Sequence, residues 1–232
     1  MKRFLVFSEK KFRVARSWSN KELKKFSSRF EGDIINVSAW KDEDKEGDFY
    51  KNYFPNAKSY SLSNYKHEAR GFQGKDGEIF LDLTKELPSE LQEKYDVVFN
   101  HTTLEHIFEI DIAFKNLCLM SKDLVIIVVP FLQEMHADYG DYWRFTPLAL
   151  KKLFEKNGLE MAYVSYNEDP GSSVYIYAMA SKVKGKWDFK KPFSYKAKRN
   201  ILCSFEGFVA CRSIQNSFIY RLCCWIFKKI KE

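Results

Sequence analysis

Three of the four histidines sit in two short stretches rich in hydroxyl, amide and acidic side chains, "NHTTLEH" at residues 100–106 and "FLQEMHADYGDYWRF" at residues 131–145. An imidazole titrates near neutrality and moves protons efficiently when a carboxylate orients it. His136 has two carboxylates in its loop, Asp138 and Asp141, which makes it the first candidate for a general base, with Asp138 and His101 as the alternatives. The plainer reading of the same histidine is that it organises a surface loop. His106 reads as structural: with Glu105 it opens a helix, where the carboxylate favours the dipole and the ring packs, while Thr102 or Thr103 caps that helix. Downstream, Asp141, Tyr142, Trp143 and Arg144 offer aromatic faces and a guanidinium, which suit a sugar ring or a charged group on a glycan. Tyr142, Trp143 and Phe145 read equally well as core.

Both stretches have to be carried to one place by the elements around them. From residue 33 to about 160, apolar runs of strand length alternate with segments of helical period, the pattern of an α/β protein with a mostly parallel sheet covered on both faces. Strands are expected near Asp33–Ala39, Lys58–Leu62, Glu78–Leu81, Asp96–Asn100 and Leu124–Val129, and helices near Asn20–Phe30, Leu104–Met120 and Thr146–Asn157. "DLVIIVVP" is apolar on both faces, as a central strand must be, and Thr146-Pro147 is a helix start. After Gly158, "LEMAYVSYN" and "SSVYIYAMASKV" are joined by the turn sequence Glu168-Asp169-Pro170-Gly171, which makes a terminal antiparallel hairpin. Open sheets of this kind bind ligands at the carboxyl ends of their strands. Four such edges can be read: Ser38-Ala39-Trp40, Ser63-Asn64-Tyr65, Asp82-Leu83-Thr84 and Asn100-His101-Thr102-Thr103.

"YDVVFNHTTLEH" resembles the fourth-strand motif of class I S-adenosylmethionine-dependent methyltransferases, and "DYWRFTPLAL" resembles their segment between the fifth and sixth strands. The likeness runs from Asp33 to about Val183 and is strongest to bacterial enzymes associated with surface polysaccharide. It implies a Rossmann-like fold with a seven-stranded sheet, S-adenosylmethionine as cofactor, and O-methylation of a sugar or glycan precursor. It also assigns the edges. Asn36, Ser38, Ala39 and Trp40 would lie under the methionine part of the cofactor, and Ser63 and Asn64 at the ribose. Asp82 and Leu83 would meet the adenine, and Asn100 and His101 would flank the transferring methyl. Two departures stand out. The family's first loop usually reads G-x-G-x-G, whereas this one has no glycine before Gly47. Its second strand usually ends in an acidic residue, replaced here by Ser63-Asn64, of which Asn64 can still hydrogen-bond a hydroxyl. They motivate the alternative of a methyltransferase-fold scaffold or binding module without catalysis.

Charge divides the chain further. Residues 182–232 hold 13 Lys+Arg against 3 Asp+Glu, leaving 25 against 28 for residues 1–181, so nucleic-acid binding across the body is disfavoured. The division is an N-terminal segment and helix over 1–32, the methyltransferase-like domain over 33–183, and a basic amphipathic extension over 184–232. In the extension Ile214, Phe218, Leu222 and Trp225 fall on one helical face, which either docks on protein, including a second copy of the chain, or lies on an anionic bilayer. "FIYRLCCWIF" is too short to span a membrane and Met1–Lys10 does not read as a signal peptide, which suggests a cytoplasmic protein, with peripheral contact at the inner membrane surface if the tail lies on lipid. The spacing of the five cysteines and four histidines suggests reduced, buried thiols and no metal site.

Overall fold

The computed structural model of the chain describes residues 2–66, 71–137, 140–167 and 172–187, together with residues 198–199, 205–206, 222, 225–226 and 229 of the tail. Seven strands form one sheet: β1 (Glu31–Val37), β2 (Asn56–Asn64), β3 (Glu78–Phe80), β4 (Tyr95–His101), β5 (Ser121–Leu132), β6 (Glu160–Tyr166) and β7 (Val174–Ser181). Their order is β3-β2-β1-β4-β5-β7-β6. The first five are parallel, and β7 inserts antiparallel between β5 and β6. This is the mostly parallel sheet with a terminal hairpin anticipated above; the turn Glu168–Gly171 lies outside the described residues. A two-residue ladder, β8 (Lys198–Arg199) with β9 (Phe205–Glu206), stands apart in the tail.

Because successive strand side chains point to opposite faces, each strand feeds two cores. Ile35, Val98, Val125 and Ile127 pack with Phe114 and Leu117 of helix α2 (Ile110–Met120) and with Leu150 and Phe154 of helix α3 (Pro147–Lys156). Ile34, Phe99, Ile126 and Val128 pack on the other face with Ala15 and Leu23 of helix α1 (Lys2–Lys25) and with Phe30, Tyr50 and Phe54. Residues 123–130 of β5 are all buried, as a strand apolar on both faces requires. Thr146 caps α3 by accepting from Ala149 N at 3.1 Å, with Pro147 in the first turn, as its sequence suggests. β1 opens on a bulge at Gly32, whose φ of 85° suits glycine; a Cβ there would lie 2.2 Å from Asp96 Oδ2, the atom that accepts from Asp33 N.

Two helices depart from expectation. α1 spans Lys2–Lys25 in place of Asn20–Phe30, because Asn20 is not a helix start: its buried amide donates sideways to Asp44 O and Glu46 Oε2. The helix expected over Leu104–Met120 is split into a 3-10 turn (Leu104–His106) and α2. Its first turn is prevented because Glu105 O already accepts from Tyr142 N at 2.7 Å and Trp143 N at 3.3 Å. Neither Thr102 nor Thr103 caps it; Thr102 Oγ1 instead accepts from Arg16 at 2.9 Å. Cys118 is a buried free thiol, pushed up to about 12 by burial; the other four cysteines lie outside the described residues. Of the amphipathic tail face, Ile214 and Phe218 also lie outside them, while Leu222 and Trp225 are helical and exposed. Among the described residues no helix is long and apolar enough to cross a membrane.

Candidate active site

The loop after β1 takes a glycine-like path without glycine: Ser38, Trp40 and Asp42 have φ of 59°, 49° and 64°. Such left-handed residues persist only where their surroundings fix them. Asn64, buried at the end of β2, does so by accepting from Trp40 N at 2.6 Å and donating to Trp40 O at 3.1 Å, while Ala39 N donates to Ser63 O. The same Asn64 amide donates to Glu78 Oε1 at 2.6 Å, so its hydrogen-bonding capacity is committed to structure and not presented to a ribose. Asn36 is likewise committed beneath the loop, donating to Asp42 Oδ1 at 2.8 Å. Asp42 also accepts from Tyr60 OH and Lys51 N; burial pushes its carboxyl above the usual range against these bonds.

Two expected cofactor residues remain available at this edge. Ser63 and Asn100 flank Val37 on either side of β1, both fully buried. Asn100 donates to Val37 O at 2.9 Å, yet Asn100 Oδ1 and Ser63 Oγ have no hydrogen-bond partner. At the third edge Asp82 Oδ1 accepts from Thr84 N and Oγ1, and Leu83 is buried with its carbonyl held by Asn116.

His101 does not face the open edge as a base. Its Nε2 meets Ser19 Oγ of α1 at 2.8 Å and its Nδ1 meets Thr102 Oγ1 at 3.0 Å, within a ring cluster of Tyr50, Phe99 and Tyr175. Burial and the Arg16 cation depress its pKa well below the usual imidazole value, so it stays neutral. Arg16 donates to Tyr50 OH and Thr102 Oγ1, tying α1 across the end of β4.

His136 does meet a carboxylate. Its Nδ1 lies 3.1 Å from Asp141 Oδ2, which also accepts His136 N at 2.9 Å. The Asp141 side chain is fully enclosed and paired twice with Arg144, whose guanidinium holds the carboxyl well below its usual range. Arg144 additionally donates to the carbonyls of Gln133, Glu134 and Trp143, so it staples the loop together and does not face an acceptor. Trp143 is also held inward, donating from Nε1 to Ile107 O at 2.9 Å. Tyr142 is exposed and edge-on to exposed Phe108, centroids 5.4 Å apart. Asp138 lies outside the described residues.

Sequence reasoning missed Glu105. It is 1% exposed, burial pushes its carboxyl up to about 8, and Oε2 has no hydrogen-bond partner. The carboxylate is therefore not a dipole partner at an open helix start. His106 Nε2 stands 3.8 Å from Glu105 Oε1, and the His106 and His136 rings are 5.1 Å apart. The only sequence signal was its place between Leu104 and His106 at a strand end.

No family model and no curated protein matches the sequence. Solved structures do match in three dimensions. Magnesium protoporphyrin IX methyltransferase from Synechocystis PCC 6803 with bound SAH is similar at a TM-score of 0.51 and 12% identity, covering 76% of this chain and 88% of that one. An S-adenosylmethionine dependent methyltransferase from Mesorhizobium loti gives 0.50 at 11%, covering 72% and 98%. A chain of the complex between the Haloferax volcanii Trm112 methyltransferase activator and a methyltransferase gives 0.54 at 10%, covering 73% and 90%. The chain has the class I methyltransferase fold. Within that fold the four edges named from the sequence come together at the carboxyl ends of β1 to β4, and the His136 loop follows β5 beside them. In this chain the loop after β1 makes its left-handed turns without glycine, with Trp40 held by Asn64.

Proposed function

We propose that the chain is an S-adenosylmethionine-dependent methyltransferase that methylates a hydroxyl of a small-molecule or glycan acceptor, with His136 as general base. The observation that carries this reading is the His136–Asp141–Arg144 chain at the carboxyl end of β5. Neighbours of the same fold solved with SAH and with SAM support the cofactor. The residues present also suit it: Ser38 and Trp40 adopt the backbone turn that glycines usually supply, and Ser63 Oγ and Asn100 Oδ1 are buried acceptors able to receive hydroxyl or amine donors. Asp82 completes the edge toward the adenine. When bound, this cofactor supplies a methyl group already activated on a sulfonium, so the protein has to align the acceptor and remove its proton. Ionised Asp141 keeps the imidazole proton on Nδ1, which leaves Nε2 to accept the hydroxyl proton and stabilises the imidazolium that results. Exposed Tyr142, edge-on to Phe108, offers a face to a sugar ring. A cytoplasmic enzyme whose basic tail rests on the inner membrane or joins two copies would suit a glycan precursor as substrate.

The test is transfer of labelled methyl from S-adenosylmethionine to nucleotide sugars and short glycans. His136→Ala should keep SAH affinity and lower turnover roughly 10²–10⁴-fold; wild-type turnover in that variant overturns the base assignment. One observation favours a second reading, a binding module without catalysis: Asn64 stands where an acidic residue is expected at the ribose edge, and it is committed to Trp40 and Glu78. That reading expects no SAH binding.

A further inference from the structure

Glu105 and His106 follow β4, His136 follows β5, and one ligand atom from each lies within 4.8 Å of the others. Both imidazoles are anchored through Nδ1, His106 on Gly140 O at 2.5 Å and His136 on Asp141 Oδ2 at 3.1 Å. A ring held at one nitrogen by a carbonyl or carboxylate directs the other as a ligand, the arrangement that metal-binding histidines use. The third group supplies an independent sign: Glu105 is 1% exposed and its Oε2 has no hydrogen-bond partner. A buried carboxyl oxygen without a hydrogen-bond partner is costly, and a cation that displaces the carboxyl proton satisfies it.

We propose that Glu105, His106 and His136 bind one divalent transition-metal ion of the zinc class. Two imidazoles and one carboxylate form a donor set for zinc, cobalt or nickel and not for magnesium or calcium, and they leave at least one coordination position open. Tetrahedral bonds of about 2.1 Å place ligand atoms about 3.4 Å apart. His106 Nε2 and Glu105 Oε1 are already 3.8 Å apart, so closure needs only small side-chain movements. Asp141 and Gly140 then act as positioning groups behind the ligands. The consequence for turnover rests on the proposed function: Nε2 of His136 can hold an ion or accept a hydroxyl proton, but not both. An ion of this class therefore silences the base.

The experiment titrates tag-free, chelator-treated full-length protein with Co(II), followed by visible absorption, and with Zn(II), followed by calorimetry. One ion per chain is expected, without the intense near-ultraviolet thiolate band that ligation by the tail cysteines would give. Glu105→Gln should abolish binding and Asp141→Asn should weaken it about 10–100-fold, with circular dichroism showing that each variant is folded. Unchanged binding in folded Glu105→Gln, a thiolate spectrum, or no binding by the wild type overturns the site. Methyl transfer in the presence of bound ion separates this inference from the reading on which it rests. Inhibition that is relieved by chelation supports both, whereas stimulation by the bound ion keeps the metal site and overturns His136 as the base.

Discussion

Asn64→Ala removes the side chain that holds Trp40 in the non-glycine loop after β1. Three hydrogen bonds go with it: from Trp40 N, to Trp40 O, and to Glu78 Oε1. The two to Trp40 are worth about 1 kcal/mol each and the one to the Glu78 carboxylate about 2 kcal/mol, so the loss is about 4 kcal/mol. For a chain of this length that corresponds to a fall of about 8–16 °C in Tm. Residues 38–40 would lose the bonds that hold Trp40 in its left-handed turn beside Ser38, and re-ordering even one residue on binding costs about 1–2 kcal/mol. SAH affinity should therefore fall about tenfold as well. Urea denaturation gives the first quantity and calorimetry the second, and a double-mutant cycle with Glu78→Gln isolates the charged bond. A loss below about 1 kcal/mol with unchanged SAH affinity would refute the claim that Asn64 substitutes for the missing glycines.

Other perturbations test the frame around the site. Hydrogen bonds from Lys186, Ser181 and Trp187 outweigh burial and hold the Asp123 carboxyl below its usual range. With its folded pKa below the unfolded value, its contribution is complete above about pH 4 and is lost as pH falls from there toward the folded pKa, so urea midpoints of Asp123→Asn should show a weaker acid dependence than wild type. Gly32→Ala should cost about 2–3 kcal/mol in urea denaturation, because a left-handed alanine also displaces Asp96 from Asp33 N. Deleting residues 200–232 should cause aggregation or a changed oligomeric state by sedimentation if the tail docks on protein; a soluble, unaltered truncation, with full-length chain sedimenting with anionic liposomes, would make it a membrane anchor.

Periodicity and local chemistry were legible where a single element decides the outcome. β5 announced itself as an uninterrupted apolar run, α3 by Thr146-Pro147, and the hairpin by two strand-like runs joined by a turn sequence. His136 and Asp141 were legible as a pair because they lie five positions apart in one loop. Features that depend on distant partners were not. Asn20 looks like a helix start until Asp44 and Glu46 are brought beside it, and the Leu104–Met120 helix looks continuous until Tyr142 and Trp143 take the Glu105 carbonyl. The same pairing buries Glu105, which no local pattern reveals. Asn64 and His101 carried plausible ligand chemistry in sequence, but Trp40, Glu78 and Ser19, all remote along the chain, take up their polar atoms. The metal ligands proposed here escape spacing rules because His136 arrives from a different strand than Glu105 and His106.

Titration of the purified full-length chain with SAH in a calorimeter tests the central claim most directly. Saturable binding of one SAH per chain is expected, weakened by Asp82→Ala at a cost of about 1–3 kcal/mol and retained in His136→Ala. A folded wild-type chain that gives no binding heat at millimolar SAH would contradict the account and leave a methyltransferase fold used for something other than methyl transfer.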